Sequence, residues 1–184
     1  MRLFTAVDPS LEVIESLRDL LLRLQPTARL RWSRPENLHL TLKFIGEWPE
    51  EKIPALLEAL GSVPAPAALE MNLSGLGFFP NPRSPRVFWV GVRAPPALAE
   101  LAVNIDRTLE PLGIAPEKRA YSPHLTLARI QERTPLERLR QEIESLPSVE
   151  FGSFTIDRIY LYQSRLSPGG SIYTKIGEFA GQGC

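Results

Sequence analysis

Both histidines of this 184-residue chain lie in the same tetrapeptide, His-Leu-Thr-Leu. The first copy begins at His39 in "NLHLTLKFI", and the second begins at His124 in "YSPHLTLARI". Both segments alternate apolar and polar residues, which is typical of a β-strand. Because side chains alternate between the two faces of a strand, each copy should place its leucines on one face and its histidine and threonine on the other.

Two matched histidine–threonine pairs point to acid–base chemistry at phosphorus. An unperturbed histidine titrates near pH 6.5, so one neutral and one protonated imidazole can coexist near neutral pH. One imidazole would activate the nucleophile and the other would protonate the leaving oxygen, while Thr41 and Thr126 donate hydrogen bonds to the phosphoryl oxygens. The residues predict phosphoester chemistry without a metal or another cofactor. They leave open which histidine is the acid.

Two other interpretations of the motifs are weaker. A pair of structural, half-buried strand histidines would explain one copy, but it does not explain why both histidines lie in identical sequences. A zinc site needs three or four ligands from cysteine, histidine and carboxylate. Only two histidines and the single cysteine, Cys184, are available as the nitrogen and sulfur ligands.

Composition places the chain among ordinary globular proteins, with 43% hydrophobic and 23% charged residues. No apolar run approaches the roughly 20 residues that span a bilayer, and the apolar stretch at the N-terminus is too short for a signal peptide. A single cysteine excludes an intrachain disulfide, so we expect a cytoplasmic protein.

Charge bears on the kind of partner. A net charge of zero argues against a non-specific nucleic-acid coat, which is normally basic overall. A local basic cleft remains compatible with the sequence, because arginines cluster without intervening acids in two segments. These clusters comprise Arg29, Arg31 and Arg34 in the first segment and Arg83, Arg86 and Arg93 in the second.

Strands and helices alternate in two comparable halves, and each half carries one motif on a strand. Helix 134–146 should begin with Thr134 as N-cap and Glu137 closing a capping box, and residues 165–170 should form a hairpin turn. The predicted strands are 3–7, 30–33, 37–45, 68–79, 86–92, 121–130, 154–164 and 171–179, and the predicted helices are 10–24, 50–60, 96–110 and 134–146. We expect one α+β domain, residues 1–184, built from two pseudo-equivalent lobes.

The chain resembles the 2H phosphoesterase superfamily, whose hallmark is a pair of His-x-Thr-x motifs on strands of two lobes. Within it, the chain is similar to the bacterial and archaeal RNA 2′,3′-cyclic phosphodiesterases, also called 2′-5′ RNA ligase-like proteins. The similarity runs through nearly the whole chain, in "LFTAVDPS", "RWSRPENLHLTLKFIGE", "PRVFWVGV", "YSPHLTLAR" and "QSRLSPGGSIYTKI".

This resemblance implies two lobes, each an antiparallel sheet with outer helices, around a central cleft. It also implies hydrolysis of an RNA 2′,3′-cyclic phosphate end to a 2′-phosphomonoester. His39 would then be the proton donor to the departing 3′ oxygen and His124 the proton acceptor that activates water. Thr41 and Thr126 would bind the phosphoryl oxygens.

Other functions remain open at this point. The same acid–base pair would serve a 2′-5′ RNA ligase or a phosphodiesterase of small cyclic nucleotides. A protein that only binds RNA ends is a third possibility, although arginines would serve pure binding better than histidines. We expect a monomer, because the sequence shows no long apolar surface stripe.

Three further residues are candidates for substrate binding. Lys43 shares the predicted face of His39, and Arg129 falls on the leucine face by strict alternation but lies near the strand end, where a bend would bring it to the cleft. Tyr121 would stack a nucleobase, as would Phe44 and Trp89. For Phe44 and Trp89, packing in the core is the simpler interpretation.

Overall fold

The computed structural model of the protein describes residues 1–64, 68–168 and 170–180, so Gly169 and Cys184 lie outside the described residues. Strands and helices alternate along the chain as the sequence predicts. The described elements are β1 (Arg2–Val7), α1 (Leu11–Leu24), β2 (Arg31–Trp32), β3 (Leu40–Glu47), α2 (Ile53–Gly61), β4 (Leu69–Phe79), β5 (Val87–Arg93), α3 (Pro96–Leu109), β6 (His124–Arg129), α4 (Glu137–Glu144), β7 (Glu150–Ile156), β8 (Arg158–Ser167) and β9 (Gly170–Ala180).

All of the described strands belong to one antiparallel sheet in the order β7-β4-β5-β6-β3-β1-β8-β9, with β2 paired to β6. The first lobe is β3-β1-β8-β9, and the second lobe is β7-β4-β5-β6. The lobes meet where β3 pairs with β6, through Leu40 opposite Leu125. The expected α+β architecture of two lobes is confirmed, and each motif lies on the strand at the junction.

The leucines of both motifs point into the main core. Leu40, Leu125 and Leu127 are fully buried, and Leu42 is 4% exposed. Helices α1 and α3 cover this side of the sheet with the apolar stripes that their sequences predict. Helix α1 follows β1 of the first lobe but contacts β7 of the second, and α3 follows β5 of the second lobe but contacts β3 of the first. The motif strands therefore rest on a shared core.

A β-bulge interrupts β3 at the last leucine of its motif. Ala6 of β1 pairs with Thr41, but the next residue, Thr5, pairs with Lys43, so Leu42 is the extra residue. An extra residue reverses the alternation of faces beyond it. As a result Lys43 is buried beside Leu42, and Phe44 is 54% exposed.

The second motif has the same bulge at the equivalent leucine. Trp89 of β5 pairs with Thr126 and Phe88 pairs with Ala128, so Leu127 is the extra residue in β6. Ala128 is fully buried beside it, and Arg129 is exposed. Strict alternation therefore ends at the bulge in both halves, which contradicts the face predicted for Lys43 and agrees with the bend considered for Arg129.

Two boundary predictions are also wrong. The side chain of Thr134 donates a hydrogen bond to the Gln131 carbonyl at 3.0 Å and does not cap a helix, so α4 begins only at Glu137, with Leu136 at the cap position. The predicted strand 154–164 is two strands that separate at Asp157, because β7 pairs with β4 in one lobe and β8 pairs with β1 in the other.

The predicted hairpin in the last third of the chain is confirmed. Strands β8 and β9 pair from Arg158 opposite Ala180 to Ser167 opposite Gly170. In the described part of the chain, no helix has the length and apolar character needed to cross a membrane.

Candidate active site

His39 stands at the entry to β3, against an aromatic wall on the face opposite the leucines. Its ring lies 4.8 Å from the ring of Phe4 and 5.1 Å from that of Tyr173, centroid to centroid. The Nδ1 atom lies 2.7 Å from the carbonyl oxygen of Asn37. Since a carbonyl can only accept a hydrogen bond, Nδ1 carries a proton and Nε2 is the nitrogen left for chemistry.

His124 is held in the same way in the other lobe. Its Nδ1 atom lies 2.8 Å from the carbonyl oxygen of Ser122, also two residues before the histidine. Its ring packs edge-on against Phe79, with centroids 5.0 Å apart, and lies 6.4 Å from the ring of Trp89. Both histidines thus have the same tautomer, and both offer Nε2 as the atom that gains or loses a proton.

The register of β3 and β6 arranges the two motifs crosswise. With Leu40 opposite Leu125, the neighbouring positions place His39 opposite Thr126 and Thr41 opposite His124. Directly opposite residues in an antiparallel ladder have β-carbons about 4.5–5.5 Å apart, and diagonal neighbours, such as the two histidines here, about 7–8 Å. The four motif side chains therefore occupy two adjacent rows on one face, within reach of one tetrahedral anion.

Electrostatics favour the neutral form of both imidazoles. Burial of the ring lowers the pKa of His39, the Asn37 carbonyl and the charge of Asp8 raise it, and the charges of Arg129 and His124 lower it again. Burial also lowers the pKa of His124, opposed by the Ser122 carbonyl and reinforced by Arg129.

Arg129 lies on the histidine face of β6. The bulge at Leu127 turns it to the side of Thr126, and its cross-strand partner on β5 is Val87. Its positive charge acts on both histidines. Of the three further candidates for substrate binding, Arg129 is the one whose charge the structure brings to the motif residues.

Lys43 does not reach the cleft, contrary to the sequence prediction. Because the bulge at Leu42 turns it towards α3, its side chain is 2% exposed and its Nζ lies 2.5 Å from Oδ1 of Asp106. The same ammonium donates a hydrogen bond to the carbonyl oxygen of Ala115 at 2.7 Å. Lys43 is therefore a buried link between β3 and the segment that leads to the second motif.

Tyr121 is likewise a link and not a base-stacking residue. Its ring packs against the main core, and its hydroxyl donates a hydrogen bond to the carbonyl oxygen of Thr41 at 2.8 Å. Burial raises the pKa of this phenol, which stays protonated as the hydrogen bond requires. Through Tyr121, the residues just before His124 are fastened to the strand of the first motif.

The aromatic side chains of the cleft differ from the expected core positions. Phe44 is exposed on the histidine face, with its ring 6.1 Å from that of Phe4. Trp89 lies over Gly77 and Gly91, where an added β-carbon would collide with its indole ring at the first position and crowd it at the second. Glycine at both positions leaves room for this indole beside His124.

Sequence reasoning missed a polar network beside His39. Asp8 accepts a hydrogen bond from the Tyr162 hydroxyl at 2.6 Å and pairs with Lys175 Nζ at 2.6 Å. These residues and His39 line an open cavity of about 650 Å³. The alternation in "SIYTKI" is a signal that Tyr173 and Lys175 share one face of β9. That face comes to lie beside His39 only because β9 pairs with β8 and β8 pairs with β1, and the sequence does not predict the second pairing.

Metal-ligating side chains are sparse around this site. Over residues 1–64, 68–168 and 170–180, no three side chains of histidine, cysteine, aspartate or glutamate come together as a metal site requires. What the site offers instead is two imidazole nitrogens, two hydroxyls and a guanidinium, a set suited to a phosphate group.

Comparison with known proteins relates the chain to a family of phosphoesterases. The sequence pattern of the family described as LigT like Phosphoesterase matches the chain twice, over residues 7–89 and 90–173, so that each match holds one motif. An RNA 2′,3′-cyclic phosphodiesterase of Methanothermobacter thermautotrophicus is 36% identical over 97% of this chain and 98% of its own length. One of Thermotoga maritima is 33% identical over 97% of this chain and 94% of its own.

Solved structures of similar sequence share the fold of this chain. The crystal structure of TT0787 of Thermus thermophilus superposes with a TM-score of 0.82 at 31% identity, over all of both chains. That of E. coli LigT complexed with 3′-AMP has a TM-score of 0.80 at 30% identity, over 99% of this chain and 98% of that one. Motifs, fold and full-length similarity together show that the chain belongs to the LigT-like phosphoesterases of the 2H superfamily.

Proposed function

We propose that this phosphoesterase opens 2′,3′-cyclic phosphate ends of RNA to 2′-phosphomonoesters, with His39 and His124 as its acid and base and without a metal ion. One observation carries the proposal. Two identically held imidazoles, each with Nε2 free, share one face with two threonines in crossed cross-strand rows. The RNA 2′,3′-cyclic phosphodiesterases that match along nearly the whole chain support the choice of substrate.

The reaction needs one proton removed and one supplied. His124 Nε2 accepts a proton from a water molecule, whose oxygen attacks phosphorus as the bond from phosphorus to the 3′ oxygen breaks. His39 Nε2 donates its proton to that oxygen, which leaves as the ribose 3′-hydroxyl, and the phosphate stays on the 2′ oxygen. This assignment of acid and base follows the family resemblance, and each proton transfer contributes roughly 10²–10⁴ in rate.

Binding of the substrate should favour the protonated form of His39, the proposed acid. Burial lowers the pKa of His39, which disfavours the imidazolium that the reaction requires. A phosphate anion bound between the rings favours the charged form of both, since an opposite charge within about 4–6 Å raises the pKa of a histidine. Among the charged groups near His39, Asp8 also favours its imidazolium, whereas Arg129 and His124 oppose it.

Thr41, Thr126 and Arg129 would stabilise the charge that grows on the phosphoryl oxygens. Hydroxyl and guanidinium groups in fixed positions can do this without the reorganisation that water would need. The cavity beside His39 would hold the ribose and base of the terminal nucleotide, with Tyr173 along its wall. The leaving 3′ oxygen would then lie next to His39.

The direct test is an assay with an oligoribonucleotide that ends in a 2′,3′-cyclic phosphate, in the presence of excess EDTA. The expected product is the 2′-phosphate, formed at the same rate with and without the chelator. Loss of activity with EDTA and recovery with a divalent cation would disprove metal independence. Tight binding of the RNA end without turnover would instead identify a binding protein.

We also propose that residues 1–184 act as one bilobal unit and as a monomer. The four motif residues come from both halves of one chain, and the lobes share a continuous sheet. Light scattering at the concentration of the activity assay should give the mass of one chain. A specific activity that rises with protein concentration would show that the active unit is larger.

A further inference from the structure

A third row of side chains continues the two motif rows on the cleft face, and both of its members are arginines. Arg31 of β2 lies directly opposite Arg129 of β6. Because of the bulge at Leu127, Arg129 lies one same-face step beyond Thr126, about 6.6–6.8 Å along the strand. The rows are therefore Thr41 with His124, His39 with Thr126, and Arg31 with Arg129.

The packing of Trp32 decides which face Arg31 occupies. Trp32 pairs with the fully buried Ala128, and its ring meets the buried ring of Phe88 edge-on at 6.1 Å. Its indole nitrogen donates a hydrogen bond to the Ala28 carbonyl at 3.1 Å. Since Trp32 points into the core, the preceding residue, Arg31, points to the opposite face, where Arg129 and the histidines lie.

Like charges directly opposite each other destabilise a sheet unless something neutralises them. Among the described residues, no carboxylate lies within ion-pair distance of Arg31 or Arg129, whereas Lys175, which lines the cavity beside His39, is paired with Asp8. Both arginines are exposed. An unneutralised arginine pair beside an active site that handles anions is suited to a second anion, which guanidinium groups bind in a bidentate way.

We propose that Arg31, together with Arg129, binds the phosphate on the 5′ side of the terminal nucleotide, so that the enzyme prefers nucleotide chains over bare cyclic nucleosides. This inference rests on the proposed function. If His39 protonates the 3′ oxygen, the ribose lies on the His39 side of the reacting phosphate. The arginine row flanks the His39 row, which is where the 5′ phosphate of that ribose would emerge.

The test uses two substrates that differ only in this phosphate. They are adenosine 2′,3′-cyclic phosphate and the same nucleotide carrying a 5′-phosphate. The wild-type protein should show a kcat/KM roughly fivefold to tenfold higher with the 5′-phosphate, as expected for an exposed charge-assisted contact. The preference should weaken as salt is raised, because neutralising one phosphate releases counterions.

Arg31→Ala should reduce that substrate ratio to about one, and Arg31→Lys should retain part of it. Arg138→Ala is the matched control, because it removes one exposed arginine from α4, on the helical side of the sheet, and should leave the ratio unchanged. A wild-type ratio near one, or a ratio that persists in Arg31→Ala, would overturn the proposal.

A binding measurement separates this inference from the proposed function. Calorimetry with adenosine 2′-phosphate and adenosine 2′,5′-bisphosphate should show tighter binding of the bisphosphate by wild-type protein and equal binding by Arg31→Ala. If neither cyclic substrate is hydrolysed but this difference in binding is present, the phosphate subsite stands and the proposed reaction fails. If the cyclic substrates are hydrolysed but wild-type protein binds both ligands equally, the phosphate subsite is refuted and the proposed reaction stands.

Discussion

Replacing Lys43 with methionine tests whether the buried link between the two motif segments holds the fold together. The Lys43 ammonium, almost inaccessible to solvent, contacts Asp106 Oδ1 at 2.5 Å and the Ala115 carbonyl at 2.7 Å. Removing one partner of a buried ion pair costs about 3–5 kcal/mol. Asp106 is still 16% exposed and keeps a hydrogen bond from the Glu117 amide at 2.8 Å, so we expect the low end, about 3 kcal/mol.

The measurement is urea-induced unfolding of wild-type protein and Lys43→Met at pH 7. The double variant Lys43→Met/Asp106→Leu is the informative control, because it removes the charge that the single substitution leaves unpaired. It should recover about 2 kcal/mol of the loss, a coupling typical of residues in direct contact. A loss below about 0.5 kcal/mol in the single variant would refute the assignment of Lys43 to a buried pair.

Three further predictions concern the cleft. His39→Ala and His124→Ala should each lower turnover at least about a hundredfold while leaving the unfolding free energy nearly unchanged, and near-normal activity in either variant would remove that histidine from the mechanism. Because the pKa of both imidazoles is lowered in the free protein, kcat/KM should peak below pH 6.5. Arg129→Gln should move both limbs of the pH profile to higher pH, since the charge of Arg129 lowers both pKa values, and Arg129→Lys should leave them in place. Limbs that do not move in Arg129→Gln would show that Arg129 has no influence on the histidines. Tyr121→Phe should cost about 1 kcal/mol in unfolding free energy through the lost hydrogen bond to Thr41, and an unchanged stability would show that this bond contributes nothing.

The sequence was a good guide to local structure where one strand or helix could be considered alone. The apolar stripes of α1 and α3 and the leucine face of each motif follow from periodicity, because burial of an apolar face is a local requirement. Predictions failed where pairing with a strand distant in the sequence decides the local structure. Strand 154–164 divides at Asp157 because its two parts pair with strands of different lobes.

Candidate site residues divide in the same way. The motif histidines and threonines were placed on one face by alternation within four residues, and the structure puts both sets on the same side of the sheet. Beyond each motif, a bulge reverses the alternation, so Lys43 is buried and Arg129 is brought to the histidines. A bulge depends on the register with the neighbouring strand, so periodicity along one strand cannot reveal it.

By itself, the sequence determined the chemical groups of the cleft and the strands that carry them. Where the leucines at alternate positions of a strand face the core, the histidine and threonine between them must lie on the opposite face. Only the tertiary structure decided how the two copies meet and which cations join them. Pairing Leu40 with Leu125 sets the crossed rows, and pairing Arg31 with Arg129 extends them. Both depend on hydrogen bonds between segments far apart in the chain, which local sequence does not specify.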